Sequence, residues 1–186
     1  MAAKSSLTNM VLCLTAVCLI CAAILGSLYA VTKDPIAAAA AAEAQASIAK
    51  VLPDGGEISE AGISDVEGVL EYYVQTKDDA VCAYAVKTVA GGFGGPLTLM
   101  VGVLPDGSIY NTTVLSHTET PGLGAKCTEE NSHFREQWKG FSGKLAVTKD
   151  GGDVDAITAS TITSRAYTKA VASAVALVKS LTKEEE

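Results

Sequence analysis

The stretch "DAITASTITSRAYTKAVASAVALVKSLT", residues 155–182, carries two separate signals. In its second half Tyr167, Val171, Ala174, Val178 and Leu181 recur at steps of four, three, four and three. That spacing puts them on one helical face, while Arg165, Lys169 and Lys179 fall mostly elsewhere. An amphipathic helix over 163–182, packed on a sheet, is the expectation. The first half is less ordinary: Thr158, Ser160, Thr161, Thr163 and Ser164 put five hydroxyls in seven positions. An N-cap at Thr158 or Ser160 would use one of them, for about 1 kcal/mol. A helix N-terminus also offers free N–H groups and partial positive charge to a phosphate. Ala159 and Ser160 keep the chain narrow beside Thr161, so a phosphoryl group and an enzyme delivering it could both reach that hydroxyl.

The segments upstream supply the sheet. "VLEYYVQT" (69–76), "AVCAYAVKTV" (80–89), "LTLMVGVL" (97–104) and "SIYNTTVLSH" (108–117) are rich in β-branched and aromatic residues. The "PDGS" turn at 105–108 joins the last two as a hairpin. "NSHFREQWKGF" (131–141) reads as a short helix and "KLAVTK" (144–149) as a further strand. Strands mixed with a few helices give an α+β domain.

Before this domain the composition changes. Met10 to Val31 is 22 residues without a charge, roughly 30 Å as a helix and so about one hydrocarbon core. A secretory signal would have a shorter apolar region ending in a small-x-small site. Cleavage after Ala30 would set Leu28 at the third position back, a poor fit, so a retained anchor is expected. Lys4 favours an N-terminus in the cytoplasm, by a thin margin over Lys33 and Asp34. The remainder would then be extracytoplasmic. After Pro35, "IAAAAAAEAQASIAKVL" is a strong helix former, and "PDGG" at 53–56 stops it. The organisation read from sequence is therefore an N-terminal tail and transmembrane anchor over 1–34, a linking helix over 35–52 and a domain over 53–186.

Charge and cysteines narrow the function. The 186-residue chain has 14 basic and 21 acidic residues, a net charge of −7, which argues against nucleic acid as a partner. Cys13, Cys18 and Cys21 have the C-x4-C-x2-C spacing of an iron–sulfur motif. They lie inside a lipid-spanning helix, however, whereas such ligands need an irregular loop. Cys82 and Cys127 fit either a disulfide or two buried thiols. His117 and Glu119 are weak as metal ligands, and His133 lies outside standard zinc spacings. No nucleophile–base pair is recognisable, so no catalytic residue is assigned. The glycines of "AGGFGGP" (90–96) lead into a strand rather than a helix, unlike a phosphate loop. They suit a tight turn or close approach of backbone to a flat ligand.

Three segments, in order, carry a resemblance: "GGFGGP" at 91–96, "ETPGLG" at 119–124 and "DAITAST" at 155–161. Together with the single anchor they resemble the extracytoplasmic FMN-binding subunits of the Rnf and Na⁺-translocating NADH:quinone reductase complexes. The compact length is closer to the G subunit of the Rnf electron transport complex than to the C subunit of the quinone reductase. In that family an Asp precedes a Ser/Thr-Gly-Ala-Thr run whose last Thr is joined to FMN by a phosphoester; Thr161 falls on that position. Ala159 and Ser160 depart from the usual Gly and Ala, though both stay small. The resemblance implies a membrane-anchored electron-transfer flavoprotein with no independent catalysis. It would relay electrons within an ion-translocating ferredoxin:NAD⁺ oxidoreductase in the inner membrane. Its partners would be the other proteins of the complex and an FMN transferase. The resemblance further implies that Glu119 and Thr120 are polar contacts, that Leu123 is apolar cover, and that Gly122 and Gly124 allow close approach. Thr158 and Ser160 would bond backbone or phosphate, and Thr163 and Ser164 would start the helix, Thr163 also near the cofactor. The alternatives are an anchored flavin protein of another redox chain, or a binding domain without flavin.

Overall fold

The computed structural model describes residues 7–129 and 131–184; Lys4, Glu185 and Glu186 lie outside them. Helix α1 runs without a break from Leu7 to Val51 and contains Pro35. The anchor and the linking helix are thus one element. Proline removes one N–H from an α-helix, so the carbonyl of Val31 loses its partner. The Ala-rich stretch that follows continues the helix. The part of α1 nearer the N-terminus is long and apolar enough to cross a membrane, and its Leu, Ile and Val side chains are exposed. The chain divides into two compact units, 1–42 and 43–186, and the second holds everything described below.

This second unit is built on a five-stranded antiparallel meander in the order β1 (Glu57–Gly62), β2 (Val69–Lys77), β3 (Ala80–Gly91), β4 (Pro96–Val103) and β5 (Ile109–Ser116). Strands β2 to β5 fall where the β-branched runs predict them. The β2–β3 turn is Asp78-Asp79, with φ of 53° and 61°; positive φ at both central residues is what a two-residue type I′ turn requires. Strand β1 escapes sequence reading because its side chains are exposed except for half-buried Gly62, so it lacks an apolar alternation.

The pleat sends alternate residues to opposite faces. Val86, Leu97, Leu99, Val101 and Val103 face helix α3 (Thr161–Glu184), which buries Tyr167, Val171, Ala174 and Val178 against them. Those four lead the stripe read from the sequence, and Leu181 packs at its end. Ala83, Ala85 and Met100 face the other way, against Ile48 and Val51 at the end of α1 and Leu52 just beyond it. Gly102 belongs to this second contact, because a Cβ there would collide with the Val51 carbonyl.

Helix α2 (His133–Glu136) is shorter than the 131–141 segment, but the segment as a whole closes one end of the core. Tyr167 stacks on Trp138 with ring centroids 5.3 Å apart and meets Phe134 edge-on at 5.1 Å. Its hydroxyl bonds Thr112 Oγ1 at 2.7 Å, so the polar tip is satisfied inside the core. The strand expected over 144–149 is absent. Instead Val147 forms one isolated bridge with Val154, and Thr148–Asp150 is a 3₁₀ turn. The Asp153 carboxylate accepts from the Lys144 N–H at 2.7 Å, and Gly151 takes a φ of 76°. These local bonds fold the segment back on itself.

Two buried acids bear on alkaline stability. Burial pushes the Cys127 thiol up to about 11, with nearby Glu119 adding to the shift, and pushes Tyr167 up to about 12. The folded chain therefore keeps protons that the unfolded chain releases near pH 9 and 10. Stability should be unaffected by these groups below pH 8 and fall as pH rises from about 9 to about 12. Thermal melts of the detergent-solubilised chain between pH 8 and 11 test this, and Cys127→Ala should flatten the first part of the decline.

Candidate functional site

Glu119 is 5% exposed and gathers three parts of the chain around its carboxylate. Oε1 accepts from the Phe93 N–H at 2.8 Å and the Gly94 N–H at 3.4 Å; Oε2 accepts from the Thr163 hydroxyl at 2.8 Å. The β3–β4 turn, the loop after β5 and the start of α3 are thereby tied together. The glycines serve this convergence. A Cβ on Gly92 would strike Glu119, one on Gly94 would strike the Thr118 carbonyl, and one on Gly124 would crowd Glu119 and Thr163 at 2.5 and 2.6 Å. Gly124 therefore makes its close approach to protein atoms. Gly122 instead has open space around it and is needed for its φ of 75°.

These segments enclose a cavity of about 320 Å³, lined by Glu119, Thr120, Leu123, Gly124, Ser160, Thr161 and Thr163. Seven of the residues given roles from the sequence thus meet in one place. Thr158 is exposed and lines a neighbouring depression with His133 and Asp155, and Gly122 and Ser164 are not among the lining residues. Three further residues line it: Ala159, noted in the sequence for its small size, and Phe93 and Ile162, which were not singled out. Phe93, Leu123 and Ile162 are 68%, 44% and 51% exposed, an apolar rim around a mouth with a polar floor.

The five hydroxyls divide their tasks. Ser164 Oγ accepts from the Ile157 N–H and donates to the Ser160 carbonyl, both at 2.9 Å, clamping the turn that precedes α3. Thr163 holds Glu119, Ser160 is buried on the cavity wall, and Thr158 stays in solvent. Thr161 is half-buried, and its Oγ1 accepts from Lys149 Nζ at 3.3 Å. Lys149 sits in the 3₁₀ turn that replaces the expected strand. Next to it, Asp150 makes a two-pronged pair with Arg165 of α3, at 2.7 and 2.6 Å, which pins the turn over the helix start. No spacing rule picks out a lone lysine twelve positions before the hydroxyl it reaches. Ala159 has φ of 62°, a left-handed conformation that costs a residue with a Cβ about 1–2 kcal/mol.

The other reactive residues lie apart from a recognisable catalytic arrangement. His117 Nδ1 accepts from the Glu119 N–H at 3.1 Å, an orienting contact for the loop. His133 meets Asp155 at 3.2 Å, both exposed. Cys82 and Cys127 are free thiols. Among the described residues no cluster of three His, Cys, Asp or Glu side chains could hold a metal.

The cavity has the size and polarity of a small-molecule site. Its volume lies at the lower end of the roughly 300–1,000 Å³ of small-molecule sites, its rim is apolar, and a cation and a helix N-terminus flank Thr161. Two substitutions probe its framework through the melting temperature. Glu119→Gln turns an acceptor into an N–H₂ facing other donors and should destabilise by about 1–3 kcal/mol. Ala159→Gly relieves the left-handed strain, offset by the entropy of a freer unfolded chain, and should stabilise by up to about 1 kcal/mol.

The chain is similar to several known proteins. The FMN-binding domain family matches residues 92–176, which include all the cavity residues. The G subunit of the proton-translocating ferredoxin:NAD(+) oxidoreductase complex of Clostridium ljungdahlii is 35% identical over 173 residues, 91% of this chain and 90% of that one. The G subunit of the ion-translocating oxidoreductase complex of Cereibacter sphaeroides is 36% identical over 152 residues, 73% of this chain and 67% of that one. The crystal structure of NqrC from Shewanella oneidensis aligns with a TM-score of 0.46 and 21% identity, over 70% of this chain and 71% of that chain. With a relative matched across nine-tenths of both chains, this protein belongs to the G-subunit family of ion-translocating oxidoreductase complexes.

Proposed function

We propose that this chain is the membrane-anchored, FMN-carrying electron-transfer subunit of an ion-translocating ferredoxin:NAD⁺ oxidoreductase, with the flavin joined through a phosphoester to Thr161. One observation carries the reading above the rest. Residues from "GGFGGP", "ETPGLG" and "DAITAST", far apart in sequence, line a single cavity, Thr161 among them. Bound FMN accepts electrons singly or in pairs. The chain's part is to hold that group and limit its contact with water. Phe93, Leu123 and Ile162 cover a flat ring, and Thr120 and Ser160 offer polar contacts. Glu119 and Thr163 keep the floor rigid.

Lys149 and the start of α3 stabilise negative charge on a phosphoryl group at Thr161 Oγ1. Ala159 and Ile162 flank Thr161 and are exposed, which leaves room for an FMN transferase. Helix α1 anchors the protein in the membrane among the other members of the complex, with the N-terminus cytoplasmic and the domain outside. Alkaline phosphatase fused after Glu186 should then be active, and an inactive fusion would reverse the orientation.

The attachment has its own test. A phosphoester survives denaturation, so the chain co-expressed with an FMN transferase should fluoresce on a denaturing gel. Thr161→Ala should abolish that signal, and Thr163→Ala should retain most of it. Lys149→Gln should slow incorporation about tenfold, the weight of one charge-assisted hydrogen bond. A fluorescent Thr161→Ala chain beside a dark Thr163→Ala chain would move the attachment by two residues.

A further inference from the structure

A second cavity, of about 380 Å³, opens at the free edge of β5, and it is lined from the end of α1 by Lys50 and from the α2 segment by Arg135 and Lys139. Asn111, Thr113 and Asn131 add neutral polar groups, and among the described residues no acid lines it. In a chain with 21 acidic and 14 basic residues, three cations converging without a carboxylate is a departure from the average surface.

Arg135 is the unusual member. It is only 9% exposed, and its Nη2 donates to the Thr112 carbonyl at 2.6 Å. The other guanidinium N–H groups have no partner among the described residues, and no described carboxylate lies within ion-pair distance of it. Lys50 and Lys139 likewise have no ion pair there. A buried cation without a counter-charge is costly, whereas its planar fork matches the oxygens of a phosphate. The carbonyl of Thr112 holds one side of the guanidinium fixed, so the remaining donors are already oriented.

We propose that this cavity binds a phosphate-class oxyanion, with Arg135 as the buried fork, Lys50 and Lys139 as the exposed cations, and Thr113 and Asn131 as neutral donors. The anion supplies the counter-charge that the protein lacks at this point, and it would tie the end of α1 to the α2 segment across the edge of β5. A free phosphate and a phospholipid headgroup present the same chemistry.

The test is the melting temperature of the full chain in detergent, titrated with inorganic phosphate at ionic strength held constant with chloride. A saturable rise is expected. Lys139→Gln and Lys50→Gln should each raise the half-maximal concentration about tenfold, as loss of one charge-assisted hydrogen bond would. Lys183→Gln should respond like the parent. So should Thr161→Ala, since this cavity is separate from the flavin site. Arg135→Lys keeps the charge and loses the fork, so it should also weaken the response. If that chain does not fold, the two lysine variants still decide. No rise beyond chloride, an equal rise in the lysine variants, or a response lost in Thr161→Ala would each overturn the site. Short-chain phosphatidate that acts at far lower concentration than phosphate assigns the site to a lipid headgroup. Equal potency assigns it to a soluble phosphate.

Discussion

Burying a carboxylate is unfavourable unless donors surround it, and the donors around Glu119 come from two places far apart in sequence. Phe93 and Gly94 supply backbone N–H groups from the β3–β4 turn, and Thr163 supplies a hydroxyl from α3. Each part depends on the others. The turn has to be glycine-rich because Glu119 and Thr118 occupy the space that side chains on Gly92 and Gly94 would take. The loop after β5 needs glycine at 124 for the same reason. The cavity is the space left in front of this knot, so its walls are fixed before any ligand enters. Preformed walls are what a site for a rigid ring requires.

The knot in turn needs a fixed helix start, and two devices provide it. From within the core, Tyr167 locks α3 through its stack with Trp138 and its bond to Thr112. Nearer the surface, the Ser164 hydroxyl spans Ile157 and Ser160, while Arg165 grips Asp150. Thr161 thus begins a helix whose first turn is held from both sides, and Lys149 is brought to it by the same ion pair that holds the turn. Sheet, aromatic cluster, clamp and cavity form one chain of dependence that ends at a single hydroxyl.

Much of this was legible in the amino-acid order. The four-three stepping of α3 and the β-branched runs of β2 to β5 are direct consequences of one-sided burial, which leaves a period in the sequence. Where burial is absent the period is absent too, and β1 was invisible for that reason. "KLAVTK" misled because Leu145 and Val147 alternate as in a strand, although Asp153 and Gly151 fold the segment into a loop. Pro35 looked like a helix start and is a residue within one. In the site, the segments that approach one another through glycines were readable, since glycine marks close contact. Lys149 and Arg135 were not. Their roles rest on tertiary placement, by an ion pair in one case and by the open edge of β5 in the other.

The two faces of the sheet explain how anchoring and cofactor holding coexist in so short a domain. Val51 sits against Gly102 so closely that no side chain fits between them, which fixes the end of α1 to the face made by Ala83, Ala85 and Met100. Alternation along β3 and β4 places Val86, Leu99 and Val101 on the other face, under α3, so the two contacts share strands but no side-chain surface. A change in one need not disturb the other. The rim formed by Phe93, Leu123 and Ile162 belongs to the α3 side and stays open to solvent. Three exposed apolar side chains around one mouth are a different matter from three scattered over a surface. Grouped in this way, they give the mouth an apolar border of the kind that marks a ligand-binding groove.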